Sequence, residues 1–308
     1  MRVVIAGGSG LIGRRLSASL SADGHVVRVL TRNVERARRR LPPTAEAVAW
    51  DPQADRGIIS DALRGMDAVV NLAGASIGGG PWTPGRKRAI LESRLQATEA
   101  IVEGIERLPV GERPTVLVNA SGIDVYGDRR DVELAEDGPT ATTFLARVSI
   151  AWEAAARAAE RLGLRVVLCR TAFVIAAEAP AFRLLTLPSR LFLGGRLGRG
   201  DQPFTWFHVD DVVGLYALAL RDPSISGPLN LVAPETPPQR DVARAIGRVL
   251  GRPAAFPAPA ALLRLLLWGQ ADLLLHGRRA VPAKATAAGY VFRFPTIEAA
   301  LREALGRP

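Results

Sequence analysis

Cysteine occurs once in these 308 residues, at Cys169, so no internal disulfide can form and the chain fits a reducing compartment. That cysteine lies inside the apolar, strand-like run 165–170, where an inert core residue is the simpler reading than a nucleophile. Lysine is almost missing as well. Lys87 and Lys284 are the only two, and the net charge of +10 is carried by arginine. Those arginines are scattered except for Arg36, Arg38, Arg39 and Arg40, and no stacking aromatics interleave with that cluster. A solvated helix face near a phosphate-binding site accounts for it, and no nucleic-acid partner is expected. Long hydrophobic runs are absent too. The most apolar late segment, 261–275, is broken by Arg264, Gln270 and Asp272, too short and too charged to span a bilayer, so no membrane partner is expected. A strand pattern begins directly after Met1, leaving no signal peptide and implying a cytoplasmic protein. Internal repeats, low-complexity linkers and a metal-ligand set are all lacking. What remains is a chain that is 48% apolar, with slightly positive mean hydropathy, long enough for one intimate two-part unit.

The organising stretch is 3–13, VVIAGGSGLIG: a short β-branched run, a cluster of glycines, then Leu11, Ile12, Leu16 and Leu20 at helical spacing. Strand, tight turn and helix in that order, with Gly7, Gly10 and Gly13 at three-residue intervals, match a dinucleotide fingerprint. Gly7 permits the sharp exit from the strand, Gly10 lets backbone approach a pyrophosphate, and Gly13 lets the helix lie close to the sheet. The first-turn N–H groups of that helix have no internal partner and would face the phosphates.

A second strand, 25–30, ends in Thr31 and Arg32. A carboxylate there would bind the ribose hydroxyls of NAD and repel a 2′-phosphate, so its replacement by Thr31 and Arg32 points to NADP(H). Further strands are expected at 47–50, followed by Asp51, at 67–72, at 115–119 and at 164–169. Long amphipathic helices lie between them at 90–105 and 144–162. This alternation predicts an α/β fold, a doubly wound Rossmann-type parallel sheet over 1–171, with ligands at the carboxyl ends of its strands. After Thr171, prolines and glycines break the pattern. Residues 172–308 are expected to form a smaller C-terminal substrate lobe, with a helix at 209–220 and a strand at 228–232 returning part of 204–232 to the sheet.

At 120–127, ASGIDVYG, the chain resembles the extended short-chain dehydrogenase/reductases, and more closely their atypical branch of epimerase family proteins. The resemblance runs nearly end to end. It takes in NLAGA at 71–75, Ser93-Arg94, FLA at 144–146 leading to Trp152-Glu153, LGGRLG at 193–198 and WFHVDD at 206–211. The closing region is similar to that branch's small C-terminal module. The resemblance implies that Ser9, Leu11 and Ile12 line the pyrophosphate with the glycines and that Arg32 meets the 2′-phosphate. It also implies that Asp51 touches the adenine edge and that Leu72, Ala73 and Gly74 flank the ribose. Arg170, at the end of the sixth strand, joins the cofactor-binding candidates. Arg94 stands where epimerases carry asparagine, and reads either as a charged partner of the substrate or as a helix-surface charge. His208 and Asp211 match a motif that is mostly structural.

The departure concerns chemistry. Ordinary members carry Tyr-x-x-x-Lys on the helix after the fifth strand, and here the corresponding places are Phe144 and Val148. No register shift rescues the pair: Tyr126, Tyr216 and Tyr290 are followed four residues later by Arg130, Leu220 and Phe294. Ser121 remains as a hydrogen-bond donor to a carbonyl, with Arg94 as its charged partner. The implied function is an NADP(H)-binding, epimerase-like oxidoreductase with an unknown small-molecule substrate. The alternative is a sensor that binds NADP(H) without turnover.

Overall fold

A computed structural model describes residues 1–54, 58–130 and 132–307. Among these described residues eleven strands follow in chain order: β1 (Arg2–Ala6), β2 (Val26–Thr31), β3 (Glu46–Ala49), β4 (Ala68–Asn71), β5 (Val116–Gly122), β6 (Glu133–Leu134), β7 (Arg165–Thr171), β8 (Phe173–Ile175), β9 (Trp206–His208), β10 (Gly227–Leu231) and β11 (Arg279–Ala280). Seven of them form a parallel sheet in the order β10-β7-β5-β4-β1-β2-β3. The order reverses between β1 and β4, which makes that edge the switch point where an open α/β sheet leaves a crevice for ligands. Two short parallel pairs, β6 with β11 and β8 with β9, lie outside the sheet.

The central strands are Val-, Ile- and Leu-rich because both of their faces are covered. Val3, Ile5, Val70, Val118 and Val167 join one core cluster, and Val4, Val69, Leu117, Val166 and Leu168 join another. The helix Pro84–Glu106 covers the second face, Ile90, Ala97 and Ile101 being buried along its inner stripe. Leu11–Ala22 and Val209–Arg221 cover the first. The strand expected at 228–232 is β10, paired with β7 from Gly227↔Val167 to Leu231↔Thr171. The first core extends without a break into Val242, Ile246, Ile297 and Leu301, on the late helices Gln239–Leu250 and Ile297–Ala304.

Late residues are anchored by polar ties. The Asp211 carboxylate accepts the backbone N–H groups of Arg293 (2.8 Å) and Phe294 (2.9 Å) and the Tyr290 hydroxyl (3.1 Å). His208 is fully buried: its Nδ1 accepts the Asp210 N–H, capping the helix Val209–Arg221, and its Nε2 lies 2.8 Å from Glu303. Both residues therefore brace the C-terminal segment. Cys169 is buried in the sheet, and burial pushes its thiol up, away from the reactive thiolate.

Candidate functional site

Two loops meet at the carboxyl ends of β1 and β4. The first runs from Gly7 to the helix Leu11–Ala22, whose N-cap is Gly10 and whose first turn holds no acidic residue. Gly7 has φ +74°, and a Cβ there would stand 2.8 Å from the Leu72 carbonyl carbon and 2.9 Å from the Ala73 nitrogen. The loops after β1 and β4 thus touch backbone to backbone, which only glycine permits. Gly13 works differently from the sequence expectation. Its Cβ would meet Gly8 at 2.5 Å, so its role is to let the helix close onto its own loop. Free N–H groups at a helix start are suited to an anion.

Thr31 closes β2 with its hydroxyl 3.4 Å from that of Ser9, joining the loops after β1 and β2. Arg32 follows it, exposed and without a hydrogen bond or ion pair among the described residues. Asn33 caps the short helix Val34–Arg38 by accepting from Arg36 N at 2.8 Å, leaving the arginine side chains on an exposed face. Asp51 is half-buried beyond β3, its carboxylate accepting the Gln53 N–H at 3.1 Å.

Beneath the loop 72–75 lies a buried polar layer that sequence reasoning did not assign. The register pairs Asn71 with Asn119, and Asn71 Nδ2 donates to Asn119 Oδ1 (2.7 Å) and to Thr98 Oγ1 (2.9 Å). Asn71 Oδ1 accepts the Ala73 N–H, which shapes the turn. Arg94 is buried on this layer with its guanidinium 4.9 Å over the Trp152 ring. Its Nη1 donates to the carbonyls of Ile90 (2.8 Å) and Ala75 (3.0 Å), and no carboxylate pairs with it among the described residues. Burial, with Arg86 adding repulsion, lowers its pKa to about 10. Gly74 makes room for it: a Cβ there would come within 3.2 Å of the Arg94 Cζ. Of the two sequence readings of Arg94, the helix-surface charge is therefore incorrect.

Ser121 and Arg170 are paired across β5 and β7 by register, and Glu153 on the helix Phe144–Arg157 bridges them. Ser121 Oγ donates to Glu153 Oε1 at 2.7 Å, and Arg170 donates through Nε and Nη2 to the two Glu153 oxygens, each at 2.8 Å. Arg170 Nη1 donates to Tyr126 Oη (2.8 Å) and to the Glu136 carbonyl (3.0 Å). Tyr126 in turn reaches Asn230 Oδ1 at 2.8 Å. Two expectations change here. Arg170 is 4% exposed with every guanidinium nitrogen engaged inside the protein, so it belongs to this interior network and not to the cofactor loops. Ser121 has a single proton and gives it to Glu153, so towards the cleft its oxygen is an acceptor. Burial pushes the Tyr126 phenol up, which keeps it neutral.

At the start of the same helix, Phe144 packs edge-on against Trp82 at 5.4 Å, with Lys87 Nζ 5.2 Å from its ring centroid, and Val148 is buried. Gln270, far along the chain, donates to the carbonyls of Gly80 (2.6 Å) and Ile77 (3.3 Å) and so pins the loop that carries Trp82.

A doubly wound sheet with a glycine turn at its switch point and an acid-free helix start defines a dinucleotide-binding α/β protein. Residues 3–231 match the NAD dependent epimerase/dehydratase family, and residues 258–304 match a domain of unknown function, DUF1731. The chain belongs to that epimerase/dehydratase family and carries this C-terminal module. It is 36% identical over 302 residues to the chloroplastic epimerase family protein SDR39U1 homolog of Arabidopsis thaliana, covering 98% of this chain and 86% of that one. With the epimerase family protein YfhF of Bacillus subtilis it shares 33% identity, over 98% and 97% of the two chains. The crystal structure of human epimerase family protein SDR39U1 (isoform 2) with NADPH superposes with a TM-score of 0.87 and 32% identity, covering 100% of both chains.

Proposed function

We propose that this protein is an NADP(H)-dependent, epimerase-like oxidoreductase acting on a small carbonyl or alcohol, in the cytoplasm. The observation that carries the cofactor assignment is Arg32: exposed, unpaired among the described residues, and placed at the end of β2 where an NAD enzyme would hold a carboxylate. The human relative crystallised with NADPH supports the same nucleotide here. In this reading Ser9, Gly10, Leu11, Ile12 and Gly13 receive the pyrophosphate, Leu72–Gly74 flank the ribose, and Asp51 meets the adenine. Bound NADPH supplies a hydride. A charge-assisted arginine–phosphate hydrogen bond contributes about 1.5–3 kcal/mol, so Arg32→Ala is expected to weaken NADPH roughly ten- to a hundredfold. NADH affinity should hardly change. Calorimetric titration of both nucleotides checks this, and equal weakening of the two would remove Arg32 from the 2′-phosphate.

For the chemical step, the uncommitted Nε and Nη2 of Arg94 are the donors best suited to a growing alkoxide, with Ser121 accepting from a substrate hydroxyl. The second reading is an NADP(H)-binding sensor without turnover. It is favoured by the side chains of Phe144 and Val148, which cannot move a proton, and by the commitment of the Ser121 proton to Glu153. A carbonyl-substrate screen following NADPH absorbance separates the two. Turnover that falls at least about tenfold in Ser121→Ala supports the oxidoreductase. Tight NADPH binding with no turnover across the carbonyl classes supports the sensor.

A further inference from the structure

Helices of a water-soluble protein turn polar residues outward, and two helices here do the opposite. On Pro180–Arg190 the inner face is Phe182, Thr186 and Ser189, while Leu184 and Leu187, followed by Leu191, point to solvent at 64%, 46% and 59% exposure. The helix Ala260–Leu267 has no buried residue at all, and Leu265 and Leu266 are among its exposed side chains. The two are joined into one surface by the loop after Leu191. Gly194 O accepts the Phe256 N–H at 3.0 Å, and Gly198 N donates to the Ala258 carbonyl at 2.8 Å, so that loop lies along the segment leading into Ala260. Phe192 and Trp268, both exposed, are held outward by left-handed backbone at φ +65° and +52°. For bulky residues that conformation is costly, and here it projects two aromatic rings away from the core.

The charge around this face is mainly positive. Between residues 179 and 200, and again between 242 and 271, there is no aspartate or glutamate, whereas Arg183, Arg190, Arg196, Arg199, Arg252 and Arg264 are present and exposed. One of these, Arg199, is offset by Asp201 at 2.6 Å. A basin of about 420 Å³ opens at one edge, lined by Arg244, Arg248 and Arg252, with Arg252 4.0 Å over the Phe192 ring. Arg244 and Arg248 are paired with Asp241 and Glu298, which leaves Arg252 as the charge there with no ion-pair partner among the described residues.

We propose that this apolar, arginine-rimmed face is a docking surface for an anionic lipid bilayer, against which the protein lies peripherally. No helix among the described residues is long and apolar enough to cross a membrane, and the expectation of no membrane partner rested on spanning alone. Lying in the interface needs only an apolar face, amphipathic aromatics and basic residues at headgroup level. A second copy of the chain is a poor occupant, because a two-fold contact sets the same arginines against each other. A bilayer supplies both the apolar phase and the missing negative charge.

The test is flotation of the full chain with vesicles of phosphatidylcholine alone and of phosphatidylcholine mixed with phosphatidylglycerol. The expected result is binding to the mixed vesicles only, weakening as salt rises. Leu265→Ser/Trp268→Ser should weaken binding at least roughly tenfold, and Arg190→Glu/Arg264→Glu should weaken it about as much. Both variants should keep the parent's NADPH affinity and melting temperature. Equal binding to both vesicle types overturns the proposal, as does binding that neither variant weakens. Failure to bind either vesicle, together with a dimer in light scattering that Leu265→Ser/Trp268→Ser dissociates, overturns it in favour of self-association.

Discussion

Replacing Glu153 by alanine is expected to destabilise the protein by about 3–5 kcal/mol, read as a shift in the urea midpoint. The loss follows from what stays behind. Arg170 is 4% exposed, and among the described residues both Glu153 oxygens are its only charged partners at hydrogen-bond distance. Burial by itself disfavours the Arg170 cation, and the Glu153 carboxylate outweighs that and raises its pKa. Alanine leaves the charge in place with Tyr126 Oη and the Glu136 carbonyl as its remaining acceptors, and strips Ser121 of its acceptor as well. The double change Glu153→Leu/Arg170→Met should recover a large part of the loss, because replacing a buried pair with apolar groups of similar size is often nearly neutral. A double variant as unstable as Glu153→Ala would mean that the network contributes by geometry and not by charge compensation.

The second large effect is expected at Gly7. Gly7→Ala should weaken NADPH binding by at least roughly a hundredfold while the protein still unfolds cooperatively. An L side chain is strained at φ +74°, and its Cβ would press on the Leu72–Ala73 backbone at 2.8–2.9 Å. Neither neighbour is a flexible side-chain end, so the two loops must separate, and the anion site between them opens. Gly10→Ala is the informative contrast. Gly10 has φ −73°, and its Cβ would find only the Gly7 carbonyl at 3.3 Å. Alanine at 10 can therefore harm binding only by meeting the nucleotide itself. Calorimetry with NADPH, alongside urea unfolding of each variant, distinguishes loop separation from nucleotide contact. A Gly7→Ala protein that binds NADPH like the parent would place the nucleotide elsewhere.

The network around Glu153 also narrows the chemistry open to this site. Ser121 reaches the carboxyl end of β5, yet its proton is spent inward, and Tyr126 is held neutral by burial while bonded to Arg170 and Asn230. The buried cation near the β4 loop that no carboxylate pairs with among the described residues is Arg94. Its guanidinium can stabilise negative charge but does not readily release a proton. Any proton taken up by a substrate would then come from a group other than these three.

Local pattern was sufficient for the sheet and for the glycine turn at its switch point. The β-branched runs and the spacing of glycines 7, 10 and 13 determine a strand–turn–helix by sterics acting over a dozen residues, and Thr31-Arg32 at the end of β2 is legible because it lies next to its strand. The same holds for β10, whose short apolar run at 228–232 announced a return to the sheet. Chain contacts far apart in sequence were not legible. Nothing near Arg170 indicates that it turns inward, because its partners Glu153, Tyr126 and Glu136 arrive from 17 to 44 residues away only once β5 and β7 have paired. Arg94 could be read from its sequence either as a partner of the substrate or as a helix-surface charge until Gly74 and Trp152 enclosed it. The outward leucines of 180–190 and 260–267 escaped for the same reason: which face of an amphipathic helix meets solvent is decided by what the folded chain leaves uncovered, and tertiary packing alone settles that.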